Sequence, residues 1–128
     1  MSQITLVSFG KNQKCTPSFL RPRWRMRILL CRRKMPQFPL TDKVYFGDEP
    51  QVVHFYENNP QTTGFIFDTF SALLSWIGKH KKGTLTIYVR STNGLIRSVY
   101  AVNKLAELLQ SQGHTTEAVH LELSRTKK

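Results

Sequence analysis

The segment Arg21-Pro22-Arg23-Trp24-Arg25-Met26-Arg27 is the most informative chemical pattern in the chain. Side chains alternate faces along a β-strand. Arg21, Arg23, Arg25 and Arg27 would therefore form one row, about 6.6 Å per step. That spacing is close to the separation of successive phosphates along one nucleic-acid strand. Trp24 and Met26 would face the other way. Guanidinium forks bind phosphate oxygens bidentately, so the row suits a phosphate-tracking ribbon. Arg32, Arg33 and Lys34 would grip further backbone phosphates. The bland counterpart is a cationic edge strand that blunts aggregation. An Arg-rich, acid-free N-terminus also fits an organellar targeting peptide. The two-residue spacing and Pro17 and Pro22 argue against the amphipathic helix such a peptide needs.

Other cations stand at element ends. Lys79, Lys81 and Lys82 surround His80 in what reads as a last helical turn, where cations suit the macrodipole. Arg90 and Arg97 flank the turn Ser91-Thr92-Asn93-Gly94. A helix beginning there would offer backbone N–H groups to a phosphate, with Asn93 and both arginines beside it.

Signals for an enzyme are poor. His54, His80, His114 and His120 lack metal-ligand spacing. His54 and His120, expected on neighbouring strands, would have to converge to act as acid and base in RNA cleavage. Asp48, Glu49, Glu57 and Asp68 do not form the clustered carboxylates of a metal-dependent nuclease. No P-loop or dinucleotide fingerprint is present. Cys15 and Cys31 neither make a disulfide framework nor show paired zinc spacing. No metal or cofactor is expected.

Composition sets the frame for these residues. The chain has 128 residues, 40% of them hydrophobic, which suits one packed domain and not a disordered chain. No run of apolar residues is long enough to span a bilayer. The location expected is the cytoplasm or another intracellular compartment. Nineteen Lys and Arg against eight Asp and Glu give a net charge of +11. The first acid is Asp42. Residues 1–41 carry +9 and residues 42–128 only +2. The expectation is a basic N-terminal extension, residues 1–41, holding one or two strands. It would pack on a near-neutral domain, residues 42–128.

The elements that must position the candidates follow from periodicity. Residues 4–9 and 23–31 read as strands. Val52, Val53, Phe55 and Tyr56 read as a buried strand ended by Asn58-Asn59-Pro60. Ile66, Phe70, Leu73, Leu74 and Ile77 recur at helical spacing from about Thr62 or Thr63. Leu85, Ile87 and Val89 alternate as a strand. Leu95, Val99, Val102, Ala106 and Leu109 predict a second helix with Gly113 as its natural C-cap. Val119, Leu121 and Leu123 predict a last strand. The fold class is α/β, an α+β sandwich. Its β-α-β-α-β core carries an additional basic N-terminal strand.

The run Leu85-Thr86-Ile87-Tyr88-Val89-Arg90, the Gly-containing turn and the helix bearing Arg97 resemble the Alba-like family of nucleic-acid-binding proteins. The resemblance spans residues 52–124. It implies nucleic acid against the loops before the two helices, here residues 58–62 with Asn58 and Asn59, and residues 90–94 beside Arg97. It also implies a homo- or heterodimer. The same element order is similar to the C-terminal domain of a bacterial translation initiation factor and to a phosphocarrier.

Together these readings point to a non-enzymatic nucleic-acid-binding protein, RNA preferred to DNA, in a ribonucleoprotein or nucleoprotein complex with protein subunits. Bases could stack on Trp24 or Phe19. The alternative is a small accessory or inhibitor protein whose basic face docks on an acidic protein. Phe38, Tyr45, Phe46, Phe55 and Tyr56 would then be interface anchors. A small ribonuclease is the third reading. Exposed arginines beside Trp24 would favour nucleic acid; an exposed apolar patch without arginines would favour a protein partner.

Overall fold

A computed structural model describes residues 3–10, 26–30, 35–39, 45–79, 84–91 and 95–121. Its elements run β1 (Gln3–Gly10), β2 (Met26–Leu30), α1 (Pro50–Glu57), α2 (Pro60–Lys79), β3 (Thr84–Ser91), α3 (Arg97–Ser111) and β4 (Thr115–His120). The four strands form one parallel sheet in the order β2-β3-β1-β4. This is the α/β class expected from the sequence.

The β1 strand is an interior strand of the sheet. It pairs with β3 from Gln3↔Thr84 to Gly10↔Ser91, and with β4 from Gln3↔Thr115 to Ser8↔His120. Its run of apolar residues has a direct cause, because an inner parallel strand is covered on both faces. Ile4 and Leu6 join the larger core, whereas Val7 and Phe9 cluster with Tyr88 on the opposite face. The strands at 3–10, 26–30 and 84–91 lie where β-forming residues place them. Strands that run parallel need long crossovers, and the helices supply two of them: α1 with α2 between the neighbours β2 and β3, and α3 between β3 and β4 on either side of β1.

One expected element changes class. Val52, Val53, Phe55 and Tyr56 lie in helix α1, not in a strand. A short apolar run cannot distinguish the two by periodicity alone. Pro50 decides it from the preceding turn, since it occupies the start of α1 and its fixed φ is pre-organised for a helix. Val52 and Tyr56, one turn apart, are both fully buried. The sheet's strand order consequently draws on β1 where a strand at 52–56 was expected.

The remaining boundaries move for local reasons. The α2 helix begins at Pro60, before the expected Thr62, because Asn59 caps it. The Asn59 Oδ1 accepts from Thr62 N at 2.8 Å and from Thr62 Oγ1 at 2.9 Å. Gly113 ends α3 as expected, at φ 90°, and its N–H donates to Gln110 O at 2.9 Å. That sharp exit starts β4 at Thr115, ahead of the expected Val119. As an edge strand, β4 is mostly exposed or half-buried.

An aromatic series joins the chain before α1 to the core. Ring centroids lie 4.9 Å apart for Phe38–Tyr45, 5.2 Å for Phe38–Phe55, 5.0 Å for Phe55–Tyr56 and 5.2 Å for Tyr56–Tyr100. The Tyr56 hydroxyl donates to Pro36 O at 2.9 Å. The aromatics considered as interface anchors are therefore largely core: Tyr56 is buried, and Phe38, Tyr45 and Phe55 pack against the core.

Burial, reinforced by Glu57 and then Glu107, pushes the Tyr100 phenol up to about 12. An unfolded tyrosine loses its proton near pH 10. The folded state therefore holds the extra proton between these values, and the associated stability is lost as pH rises from about 10 through about 12. Tyr100→Phe should remove that part of the alkaline loss; urea melts of both proteins across this range will measure it. Identical alkaline profiles would contradict the assignment.

Gly47 admits no side chain. Its N–H donates to Leu95 O at 2.8 Å, and a Cβ there would collide with Ile96 O and sit 2.8 Å from Tyr100 N and Val99 Cβ. Because the obstacles include backbone, Gly47→Ala should cost about 1–3 kcal/mol. Chemical denaturation tests this, and an unchanged midpoint would contradict it.

Candidate functional site

All strands point the same way, so their C-terminal ends gather on one edge of the sheet. In open α/β sheets that edge is where ligands bind. Here Phe9 lies opposite Arg90, Gly10 opposite Ser91, and Leu30 opposite Arg90 on the other side. Helix α3 starts six residues beyond Ser91, with Arg97 as its first residue.

The two ends are clipped together. Ser91 and Ser98 are buried, and their hydroxyl oxygens lie 2.9 Å apart. The clip holds the end of β3 against the first turn of α3. Arg90 and Arg97, both half-buried, flank it in sequence. The first turn of α3 carries no acid and its N-cap residue Ile96 makes no side-chain cap. The helix therefore presents its positive dipole end without a carboxylate of its own. A small cavity of about 30 Å³ lies among Gln37, Phe38, Tyr56, Ser91, Ile96 and Arg97. That volume is enough for a water and not for a metabolite. What this edge offers chemically is cationic and hydrogen-bond-donating recognition of an anion.

The other candidates are dispersed. Asn58 ends α1, where its Nδ2 donates to His54 O at 2.9 Å, and Asn59 caps α2. Their loop joins two helices and does not leave a strand. Lys79 is exposed at the last residue of α2. Arg27 lies in β2, paired with Ile87. Arg21, Arg23, Trp24, Arg25, Arg32, Arg33, Lys34, Lys81, Lys82 and Asn93 lie outside the described residues, as does Phe19.

The histidines have separate settings. His54 is exposed on α1, not on a strand. His120 ends β4 and bridges three elements. Its Nε2 lies 2.9 Å from Asn103 Oδ1 on α3, and its Nδ1 lies 2.7 Å from the buried Ser8 Oγ on β1. The amide oxygen can only accept, so Nε2 donates to it; in the neutral imidazole Nδ1 then accepts from the Ser8 hydroxyl. The relay is not visible in the sequence because positions 8, 103 and 120 are far apart along the chain, and the Ser91–Ser98 clip, only seven residues apart, forms once the end of β3 lies against the start of α3. Among the acids, Glu49 accepts from Phe46 N at 2.6 Å in the turn before α1, and Glu57 pairs with Lys104 at 3.3 Å. Among the described residues, no helix is long and apolar enough to cross a membrane.

Asn59→Ala tests the cap. It should lower stability by about 1 kcal/mol, read as a lower urea midpoint. No change would mean that the Asn59 Oδ1 contacts contribute nothing.

Comparison with known proteins gives one family. The family model of the RapZ C-terminal domain matches residues 2–124. A protein of Haemophilus influenzae described as a nucleotide-binding protein is 31% identical over 96 residues, covering 73% of this chain and 34% of its own length. A nucleotide-binding protein of Shewanella woodyi is 36% identical over 80 residues, covering 60% and 28%. Another, of Glaesserella parasuis, is 30% identical over 93 residues, covering 70% and 32%. The chain thus spans about a third of the length of these relatives. The match overturns the Alba-like resemblance, since it takes in β1 and β2 together with every other described residue. The structure supplies the physical reason: residues 52–56 are helical, so the strand-to-helix loop at 58–62 that the resemblance required does not exist. The dimer implied by that resemblance loses its basis as well.

Proposed function

Because the chain belongs to the RapZ C-terminal domain family, we propose that it binds nucleic acid, RNA in preference to DNA, without turning it over. The observation that carries this reading is the cationic C-terminal edge of the sheet, where Arg90, the Ser91–Ser98 clip and Arg97 converge on the start of α3. A backbone phosphate seated there meets guanidinium donors and helix N–H groups. The +9 carried by residues 1–41 supports the reading by supplying long-range attraction. The relatives' description as nucleotide-binding proteins agrees with it.

The mechanism is electrostatic first. Cations displace condensed counterions from the phosphate backbone, which makes binding salt-dependent and weakly sequence-specific. The fixed arginines at the sheet edge then set the position of the strand, because phosphate contacts determine register and orientation. Acting as a binder, the protein would serve as a subunit of a larger intracellular nucleoprotein assembly.

Fluorescence anisotropy with a labelled single-stranded RNA and the matching DNA tests this. Affinity should fall steeply between about 50 and 200 mM salt. Arg90→Gln and Arg97→Gln should each weaken binding and lower the logarithmic salt slope by about one. The RNA should remain intact on a gel. Salt-independent binding, variants equal to the parent, or shortened RNA would each reject part of the reading.

A further inference from the structure

On the helical side of the molecule lies a surface of opposite character. A groove of about 220 Å³ runs between α2 and α3. Its floor is made by Ile66 and Tyr100, both nearly inaccessible. Phe67 and Leu108 also line it, and Phe67 is 55% exposed, the one large hydrophobic side chain so exposed among the described residues. Exposing most of a phenyl ring to water is unfavourable, by about 25 cal/mol for each Å². A partner that covers it recovers that free energy.

The polar rim is acidic. Lys104 Nζ lies 3.3 Å from Glu57 and 3.9 Å from Glu107, so one cation is shared by two carboxylates. Asp68 follows Phe67 in the chain and is exposed. Glu57, Glu107 and Lys104 together carry −1 on a protein of +11. Among the described residues no arginine lines the groove, and its one cation, Lys104, is held by Glu57 and Glu107. The volume is also below the range of about 300–1,000 Å³ typical of small-molecule sites. It suits one apolar side chain of a larger partner.

We propose that the Phe67 groove between α2 and α3 is a docking site for a basic amphipathic segment of another protein, which inserts one apolar side chain and places its Lys or Arg residues against Glu57 and Glu107. Apolar burial supplies the anchor, and charge complementarity selects a cationic segment. At physiological ionic strength the screening length is about 8 Å. Charges within that distance, here Glu57, Glu107 and Lys104, dominate the field at the groove. This inference is independent of nucleic-acid binding, because it uses a different surface and the opposite charge.

The test uses the full chain and a fluorescein-labelled amphipathic helical peptide of leucine and lysine, read by anisotropy at physiological salt. Two control peptides carry glutamate for lysine and serine for leucine. The leucine–lysine peptide should bind and both controls should not. Phe67→Ser should weaken binding about tenfold or more, with an unchanged melt because the side chain is exposed. Glu57→Gln with Glu107→Gln should weaken it by a smaller factor. Phe67→Ser should leave RNA affinity as in the parent, whatever that affinity is. Equal binding of the glutamate peptide, or of the Phe67→Ser protein, overturns the proposal. So does a change in sedimentation of the unliganded protein on Phe67→Ser, which would assign the groove to a second copy of this chain.

Discussion

The β1 strand makes ladders on both of its edges, and the neighbours β3 and β4 are joined in the sheet through it. Everything else in the structure depends on this double pairing. The α3 helix crosses over β1 because the strands it connects lie on either side. The buried side chains of β1 reach both faces, so the larger core and the smaller Val7–Phe9–Tyr88 cluster share its backbone. The boundary in charge at Asp42 consequently does not mark a boundary in the sheet.

From that arrangement the electrostatics separate by location. Parallel strands bring Arg90 and Ser91 to the same edge as the start of α3, where the helix dipole and the arginines share one sign of charge. The acids Glu57 and Glu107 sit instead around Lys104 in the helical layer. Among the described residues, Arg90 and Arg97 thus stand at one edge and the carboxylates Glu57 and Glu107 in another layer.

The parts of this picture legible in the sequence are those with local causes. The alternation of Leu85, Ile87 and Val89, the helical repeat through Ile66, Leu73 and Ile77, and Gly113 after α3 each act within a few residues. Residues 52–56 show where local pattern fails. Their apolar run fits a strand and a helix equally, and the deciding groups are Pro50 before it and the core that takes Val52 and Tyr56 together. Phe67 was equally illegible: one more aromatic in an apolar helix, until the packing of α2 left it outside.

By itself, the sequence determined an α/β chain, its strongly basic N-terminal third, and the pair Arg90 and Arg97 around a strand-to-helix turn. These are properties of composition and of short-range periodicity, which survive any arrangement of the elements. Tertiary structure alone decided the strand order, and with it which residues meet. The Ser91–Ser98 clip, the Ser8–His120–Asn103 relay and the Glu57–Lys104 pair all follow from that order or from helix packing. The physical reason is that side-chain pairing is local in space and not along the chain. Position 8 and position 120 become neighbours only once β1 and β4 share a ladder.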